Sequence, residues 1–524
     1  MVLAVAGPAS LQAQTDGAAA ALLVRPDSIQ LPTLGDGSDM SSSVERRLGD
    51  RIAREIYRDP DYIDDPVLGD YVQGIWQPLL AAARARGDLS SELQERFAWE
   101  IMLARDRTVN AFALPGGYFG VHLGLIAVVG SRDELASVLG HELSHVTQRH
   151  ISRVLAKQSQ QAPWMIGAMI LGALAASKSA DAGNALIVGG QAVAAQNQLN
   201  FSRDMEREAD RVGFGVMTQA GFEAQGFLLM FDKLQQASRL NDNGAYPYLR
   251  SHPLTTERIA DMQARQPLGL PASGAIAPTI EHAMMAARAR VLSNPGVDAL
   301  RAIAAEARGA TLPVSLAPRR AEVLYGAALA ASRLRDFLIA REYLGRLSEL
   351  VRTDARAARL SRWLAVEVAL AAGESERAAA LLNGSITSTS GAGAAMLTQQ
   401  RPELFLRAQV AIQAGAAGPV NEAAQNLQVW VLAHPHDAQA WQLLSSVYAA
   451  QGQTLRSIRA DAENQVARLD YAAALERFRA AQELMRHGGV TDAGRAALDH
   501  IESSIIDMRK RQVELMFKEQ SLDH

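Results

Sequence analysis

Ser131-Arg132-Asp133-Glu134-Leu135-Ala136-Ser137-Val138-Leu139-Gly140-His141-Glu142-Leu143-Ser144-His145-Val146-Thr147-Gln148-Arg149-His150-Ile151 is the stretch on which the reading of this chain turns. It reads as one helix: Ser131 and Glu134 stand at capping-box spacing, and Leu135, Val138, Leu139, Leu143 and Val146 recur with the helical period. His141 and His145 then lie one above the other on a single face, where two imidazoles can converge on one metal ion. Neutral imidazoles suit Zn²⁺, and Glu142 is placed to take a proton from a water at that ion as general base. The competing reading is a charged helix face with two solvated histidines.

A tetrahedral site needs a further protein ligand. The arrangement that takes it from the same run requires glycine at position 148 and histidine at position 151; the chain has Gln148 and Ile151. His150, nine residues after His141, falls on the opposite side of a continuous helix. A second segment must therefore contribute, and Ser202-Arg203-Asp204-Met205-Glu206-Arg207-Glu208-Ala209-Asp210 offers carboxylates on a helix that ends near Gly221. Glu206 and Asp210 share a face, so that one can bind the metal while the other orients a ligand imidazole. Periodicity leaves Glu206 and Glu208 open as the ligand, because they flank the apolar stripe Met205, Ala209, Val212 and Val216 at similar angles.

The two motifs together resemble the HtpX-like and CAAX-prenyl-protease-like zinc peptidases, whose signature is H-E-x-x-H followed by E-x-x-A-D. Two flanking runs strengthen the resemblance: Asn110-Ala111-Phe112-Ala113-Leu114-Pro115-Gly116-Gly117 before the helix and His252-Pro253-Leu254-Thr255-Thr256-Glu257-Arg258-Ile259 after the acidic segment. The resemblance covers residues 41 to 500, close in the first half and loose in the second. It implies a mainly α chain, with a zincin-like α+β metallopeptidase domain carrying a small sheet and then a helical tetratricopeptide-like solenoid. It also implies one Zn²⁺ held by His141, His145 and Glu206, Asp210 behind the ligands, and Glu142 as catalytic base. His252 matches a histidine that, in periplasmic members of the group, approaches the metal and acts as a switch; His252 and Arg203 are also the candidates for stabilising the oxyanion. The same members act on misassembled outer-membrane β-barrel proteins beside the β-barrel assembly machinery, in the periplasm of Gram-negative bacteria.

Composition is compatible with this and narrows the alternatives. The 524 residues exceed one domain at about 150 residues per domain. A net charge of −4 with 21% charged residues leaves no basic surface for nucleic acid. Zero cysteines exclude a thiolate site and a disulfide framework. Residues 1–13 read as a truncated signal peptide and 14–43 as a disordered segment. The peptidase domain is expected at 44–265, with helices over Val44–Tyr57 and Pro66–Ala83 and strands over Phe97–Ala104, Val109–Leu114 and Tyr118–His122. An extended peptide can add to the edge of such a sheet beside the metal. An insertion at 155–200 contains the thirteen apolar residues Trp164–Ala176, short of the roughly 20 that span a bilayer, and is expected to cover the cleft.

A linker is expected at 266–289, repeats at 290–510 and a tail at 511–524. One repeat register is visible at the period of about 34 residues. Ala438 opens a first helix anchored by Trp441, Leu444 and Tyr448, and Asp470–Ala481 fits a second helix with Ala474, Phe478 and Ala481 as contacts. Arg335–Leu347 is a weaker copy. Stacked helix pairs make a concave surface suited to protein chains. The reading is thus a zinc endopeptidase with a protein-binding solenoid. The alternative is an assembly factor that binds barrel precursors with latent proteolysis, and a weaker one is a membrane-associated prenyl-peptide protease.

Overall fold

The computed structural model describes residues 40–157, 201–239, 245–265, 278–309, 316–383, 400–487 and 493–522. The expectations for residues 1–39, for Trp164–Ala176 with its surrounding insertion from 158 to 200, and for 266–277 lie outside these residues.

Helix α1 (Ser42–Arg58) begins where the Ser41 hydroxyl accepts from the Val44 N–H. After strand β1 (Tyr62–Ile63), Asp65 caps helix α2 (Pro66–Arg86), with proline at the first helical position and left-handed Gly87 closing it. Short helix α3 (Ser91–Arg96) leads to strands β2 (Glu100–Ala104), β3 (Ala111–Leu114) and β4 (Tyr118–His122). The sheet order is β1-β2-β4-β3; β2 runs parallel to β4, and β3 antiparallel to it. The β3–β4 turn needs glycine at both ends of its reversal: Gly116 and Gly117 have φ of 73° and 78°, and a Cβ on Gly116 would sit 2.9 Å from the Arg46 Cα. The expected strand Phe97–Ala104 starts only at Glu100, because Trp99 adopts φ 53°. Behind the sheet, Leu68, Ile75, Trp76 and Leu79 of α2 are fully buried, with Trp76 edge-on to Phe119 at 4.6 Å. Each such aliphatic burial contributes about 1.5–3 kcal/mol.

Helix α4 (Leu123–Val128) turns the chain into α5 (Arg132–Thr147), where the Ser131 hydroxyl accepts from the Glu134 N–H. The reciprocal half of the expected capping box is displaced by one residue: the Glu134 carboxylate accepts from Gly130 N–H and pairs with Lys233. Every residue of α5 from Glu134 to Thr147 is buried. The expectation of one helix from Ser131 to Ile151 is corrected here. The helix stops at Thr147, Arg149 adopts φ 56°, and a separate helix α6 (His150–Lys157) starts beyond it. The Arg149 guanidinium donates to the Met40 carbonyl at 2.6 Å and to Ser152 Oγ at 3.1 Å, which holds the turn. Helix α5 is surrounded by α2, β3, α7 (Arg203–Gln219) and α8 (Gln225–Arg239).

Helices α9 (Tyr248–Ser251) and α10 (Thr256–Ala264) complete the peptidase unit. Helix α11 (Ile280–Ser293) begins within the span expected as a linker: His282 to Ala289 are buried, and His282 joins the Tyr71 hydroxyl at 2.6 Å to the Val129 carbonyl at 2.8 Å. Then follow α12 (Val297–Gly309), α13 (Ala317–Arg333), α14 (Phe337–Val351), α15 (Ala355–Ala371), α16 (Ser375–Asn383), α17 (Arg401–Ala414), α18 (Ala417–Ala433), α19 (Ala438–Ala450), α20 (Thr454–Ala467), α21 (Tyr471–His487) and α22 (Ala493–Leu522). They pack in chain order as a long solenoid-like array. Leu444 and Tyr448 are buried as the register predicts, and Ala474, Phe478 and Ala481 have no exposure. The partner of α19 is α20, however, and α21 packs between α20 and α22. The tail expected from 511 is the end of α22, which runs to Leu522.

Two arginines fasten this array to the peptidase unit. Arg288 bridges Asp65 and Glu367, and Arg401 bridges Asp64 and Asp437, each through paired hydrogen bonds of 2.7 to 2.9 Å. Both acidic partners from the peptidase side sit side by side just before α2.

Candidate metal centre

The site forms where α5 and α7 cross. Gly140 and Gly213 face one another there, and a Cβ on Gly213 would lie 2.9 Å from Gly140 C and O and from His141 N. On α7, Glu206, Asp210 and Gly213 share one face, so this close contact brings both carboxylates onto the histidines of α5. The buried face of α7 holds Met205, Glu206, Ala209, Asp210, Gly213 and Val216 and leaves Glu208 at its margin.

His141 Nε2 and His145 Nε2 are 3.0 Å apart and face the Glu206 carboxylate, each 3.5 Å from one of its oxygens. His252, at the end of α9, reaches the same point: its Nδ1 is 3.1 Å from Glu206 Oε1 and 3.3 Å from His141 Nε2. Single ligand atoms of His141, His145, Glu206 and His252 all lie within 4.8 Å of one another, and all four residues are buried. Glu142 lies beside this cluster, its Oε1 3.4 Å from His252 Nε2, and neither of its carboxylate oxygens has a hydrogen-bond partner among the described residues. Converging imidazoles and carboxylate, with a second carboxylate buried and unsatisfied alongside, form a donor set that fits Zn²⁺.

The surroundings fix each donor. Asp210 Oδ1 is 2.9 Å from His141 Nδ1, and Arg258 donates to both Asp210 oxygens while its Nη1 lies 2.8 Å from Glu206 Oε2. Arg258 also donates to the Pro253 carbonyl and lies over the Phe231 ring. Phe201 stacks on the His145 ring at 3.8 Å, and Tyr248 on His252 at 4.5 Å.

Charge follows from the same contacts. Burial alone would lower the His141 pKa, but hydrogen bonds to Asp210 and Glu206 push it up to about 9. The carboxylates thus attract a positive charge to this point, a proton or a metal ion. Burial, then the proximity of His141, drives the His145 pKa well down, which keeps that imidazole neutral. Burial would raise Glu206, yet His252 and His141 hold its carboxyl well below the usual range. The Glu142 carboxyl is pushed up by burial, against the opposing effect of His252 and His141.

Residues 79–266 match peptidase family M48, a span that contains every residue just described. This region is an M48 peptidase domain. The chain is related to β-barrel assembly-enhancing proteases: it is 34% identical over 319 residues to the Vibrio cholerae putative β-barrel assembly-enhancing protease, covering 60% of this chain and 62% of the relative. The Escherichia coli β-barrel assembly-enhancing protease is 32% identical over 241 residues, covering 45% of this chain and 47% of that protein. Yeast mitochondrial metalloendopeptidase OMA1 is 28% identical over 196 residues, covering 36% of this chain and 54% of its own. The chain therefore spans 47% to 62% of the length of these relatives.

The M48 domain brings together His141, Glu142, His145, Glu206, Asp210 and His252, all named from the sequence. It keeps Glu208 out of the cluster: its Oε2 is 2.9 Å from His150 Nε2 and 3.1 Å from Arg153. Arg203, a candidate oxyanion partner, is exposed at the start of α7. Sequence reasoning assigns no role to Arg258, Tyr248 or His150. Arg258 lies inside the run from His252 to Ile259, but nothing in the run says that an arginine six residues from the histidine folds back under it. Helical periodicity places His150 on the wrong side, because the helix break at Arg149 has no glycine or proline to announce it.

Proposed function

We propose that this chain is a zinc-dependent endopeptidase of the Gram-negative periplasm that degrades misassembled outer-membrane β-barrel proteins. The observation that carries the reading is the convergence of His141 Nε2, His145 Nε2 and the Glu206 carboxylate beside the buried, unsatisfied Glu142. Zinc bound there supplies Lewis acidity toward a peptide carbonyl and acidifies water. His141, His145 and Glu206 hold it; Asp210 and Arg258 keep the His141 ring aimed. Glu142 takes the proton from the attacking water and returns it to the leaving amine. A substrate strand lies along the β3 side of the sheet, which borders α5. The names of the bacterial relatives point to β-barrel assembly as the setting, and the helical array is the surface for unfolded precursors or the assembly machinery. No helix among the described residues is long and apolar enough to cross a membrane.

With an ion held by His141, His145 and Glu206, His252 would be the further donor within reach, and its Nε2, 3.4 Å from Glu142 Oε1, would shield that carboxylate, which is 1% exposed. That arrangement favours latent activity, and with it the second reading of an assembly factor that cleaves rarely. The experiment is metal content together with hydrolysis of an unfolded outer-membrane protein by the full chain. Wild type is expected to bind one zinc and cleave; Glu142→Gln to keep the zinc and lose cleavage; Glu206→Gln to lose zinc, and Glu208→Gln to retain it. Cleavage by Glu142→Gln at the wild-type rate would end the assignment of the base, and zinc loss by Glu208→Gln alone would end that of the ligand.

A further inference from the structure

We propose that His150 and Glu208 form a positioning relay behind His145, setting the ring nitrogen that His145 presents to the metal. The inference rests on the zinc-site reading above. His150 has no exposure, and its Nδ1 lies 2.9 Å from His145 Nδ1. Two imidazole nitrogens at that distance need one proton between them. When His145 offers Nε2 to a metal, its own proton sits on Nδ1 and donates to His150 Nδ1. The His150 proton then sits on Nε2, which is 2.9 Å from Glu208 Oε2 and donates to it. Each nitrogen in the chain has one role, and the order of donors terminates in a carboxylate that accepts. Arg153 holds the same Glu208 oxygen from the other side at 3.1 Å.

The two ligand histidines are thus supported in parallel by different means. His141 meets Asp210 directly, whereas His145 reaches a carboxylate through an intervening imidazole. The left-handed turn at Arg149 makes this possible, since a continuous helix would carry His150 away from His145. Phe201, stacked on His145, fixes the plane of the ring while His150 fixes its tautomer. Glu208 stands at the margin of the site with 39% of its side chain exposed, so the relay runs from the metal position to the surface.

The test measures zinc affinity of the full chain by competition with a chromophoric chelator, and the fold and melting temperature of the metal-free protein. His150→Ala is expected to weaken zinc binding about 10–100-fold. Glu208→Leu should shift it in the same direction, and Glu208→Gln should stay near wild type because its amide oxygen still accepts from His150. Wild-type affinity in a folded His150→Ala protein overturns the relay. Should His150→Ala fail to fold, Glu208→Leu decides alone, since its side chain is partly exposed: weakened zinc supports the relay and unchanged zinc overturns it. His145→Ala separates the two ideas. If it retains zinc at wild-type affinity, the metal-site reading itself has failed; if it loses zinc while both relay variants keep it, only the relay has.

Discussion

Arg258 grips Asp210 through two parallel hydrogen bonds, Nε to Oδ2 at 2.6 Å and Nη2 to Oδ1 at 2.8 Å, and both side chains are buried. The same guanidinium lies against Glu206, so one cation offsets two carboxylates that would otherwise face each other in a dry interior. Removing it leaves uncompensated buried charge, a change that typically costs about 3–5 kcal/mol. Arg258→Met is therefore expected to lower the melting temperature of the metal-free protein by several degrees and to narrow that gap when zinc is added, because the ion restores positive charge. Thermal unfolding with and without zinc checks this. A metal-free variant as stable as wild type would show that the arginine is not needed to hold the carboxylates.

Gly213 and Gly140 let α5 and α7 touch along their backbones. Gly213→Ala places a methyl 2.9 Å from Gly140 C and O, contacts that backbone cannot yield cheaply. The helices must separate, at a cost of about 1–3 kcal/mol, and Glu206 retreats from the histidines. Zinc affinity should then fall together with stability, although no ligand has been changed. The companion Gly74→Ala in α2 controls for the effect of a methyl added to any helix: among the described residues nothing beyond the helix's own backbone and chain neighbours lies within 4 Å of the new Cβ, and neither quantity should fall.

His252 bears on catalysis in one of two directions. Its imidazole lies within the ligand cluster and against Glu142, so His252→Ala is expected to raise basal cleavage of an unfolded substrate several-fold with zinc retained. A fall in kcat at unchanged zinc content would instead make His252 a donor to the developing oxyanion, and latency would need another cause.

Glu45 gives a pH signature away from the metal. Burial pushes its carboxyl up to about 7, opposed by the Arg149 guanidinium, whose Nη2 lies 2.9 Å from Oε2. A folded-state pKa above the unfolded value means stability that is complete below about 4.5 and is lost as pH rises through 7. Glu45→Gln cannot ionise. Its stability relative to wild type should therefore increase by on the order of 2 kcal/mol between pH 5 and pH 8. Denaturant titrations at the two pH values measure the difference, and parallel profiles would show that Glu45 ionises freely.

The spacing of His141, Glu142 and His145 determined most of the chemistry before any fold was known, because helical pitch alone puts the two imidazoles on one face. The pairing of Glu206 with Asp210 was equally local. What periodicity left open was Glu206 against Glu208, since both flank the same apolar stripe; the Gly140–Gly213 contact brings the Glu206 flank of α7 against α5 and leaves Glu208 outside the cluster. His150 could not be placed from sequence because its position depends on one left-handed residue, Arg149, that is held by the Met40 carbonyl, 109 residues away. Arg258 joined the site for a similar reason: a buried charge is tolerated only where tertiary packing supplies its partners, and Asp210 and Glu206 come from another helix. The helical array was legible as alternating apolar positions, but its boundary with the peptidase was not. His282 and Arg288, polar in the sequence, are buried in the junction by Tyr71 and Asp65, so a stretch that reads as the end of a linker is part of the core. Local spacing specifies what a segment can present; which neighbour it presents it to is settled by long-range packing.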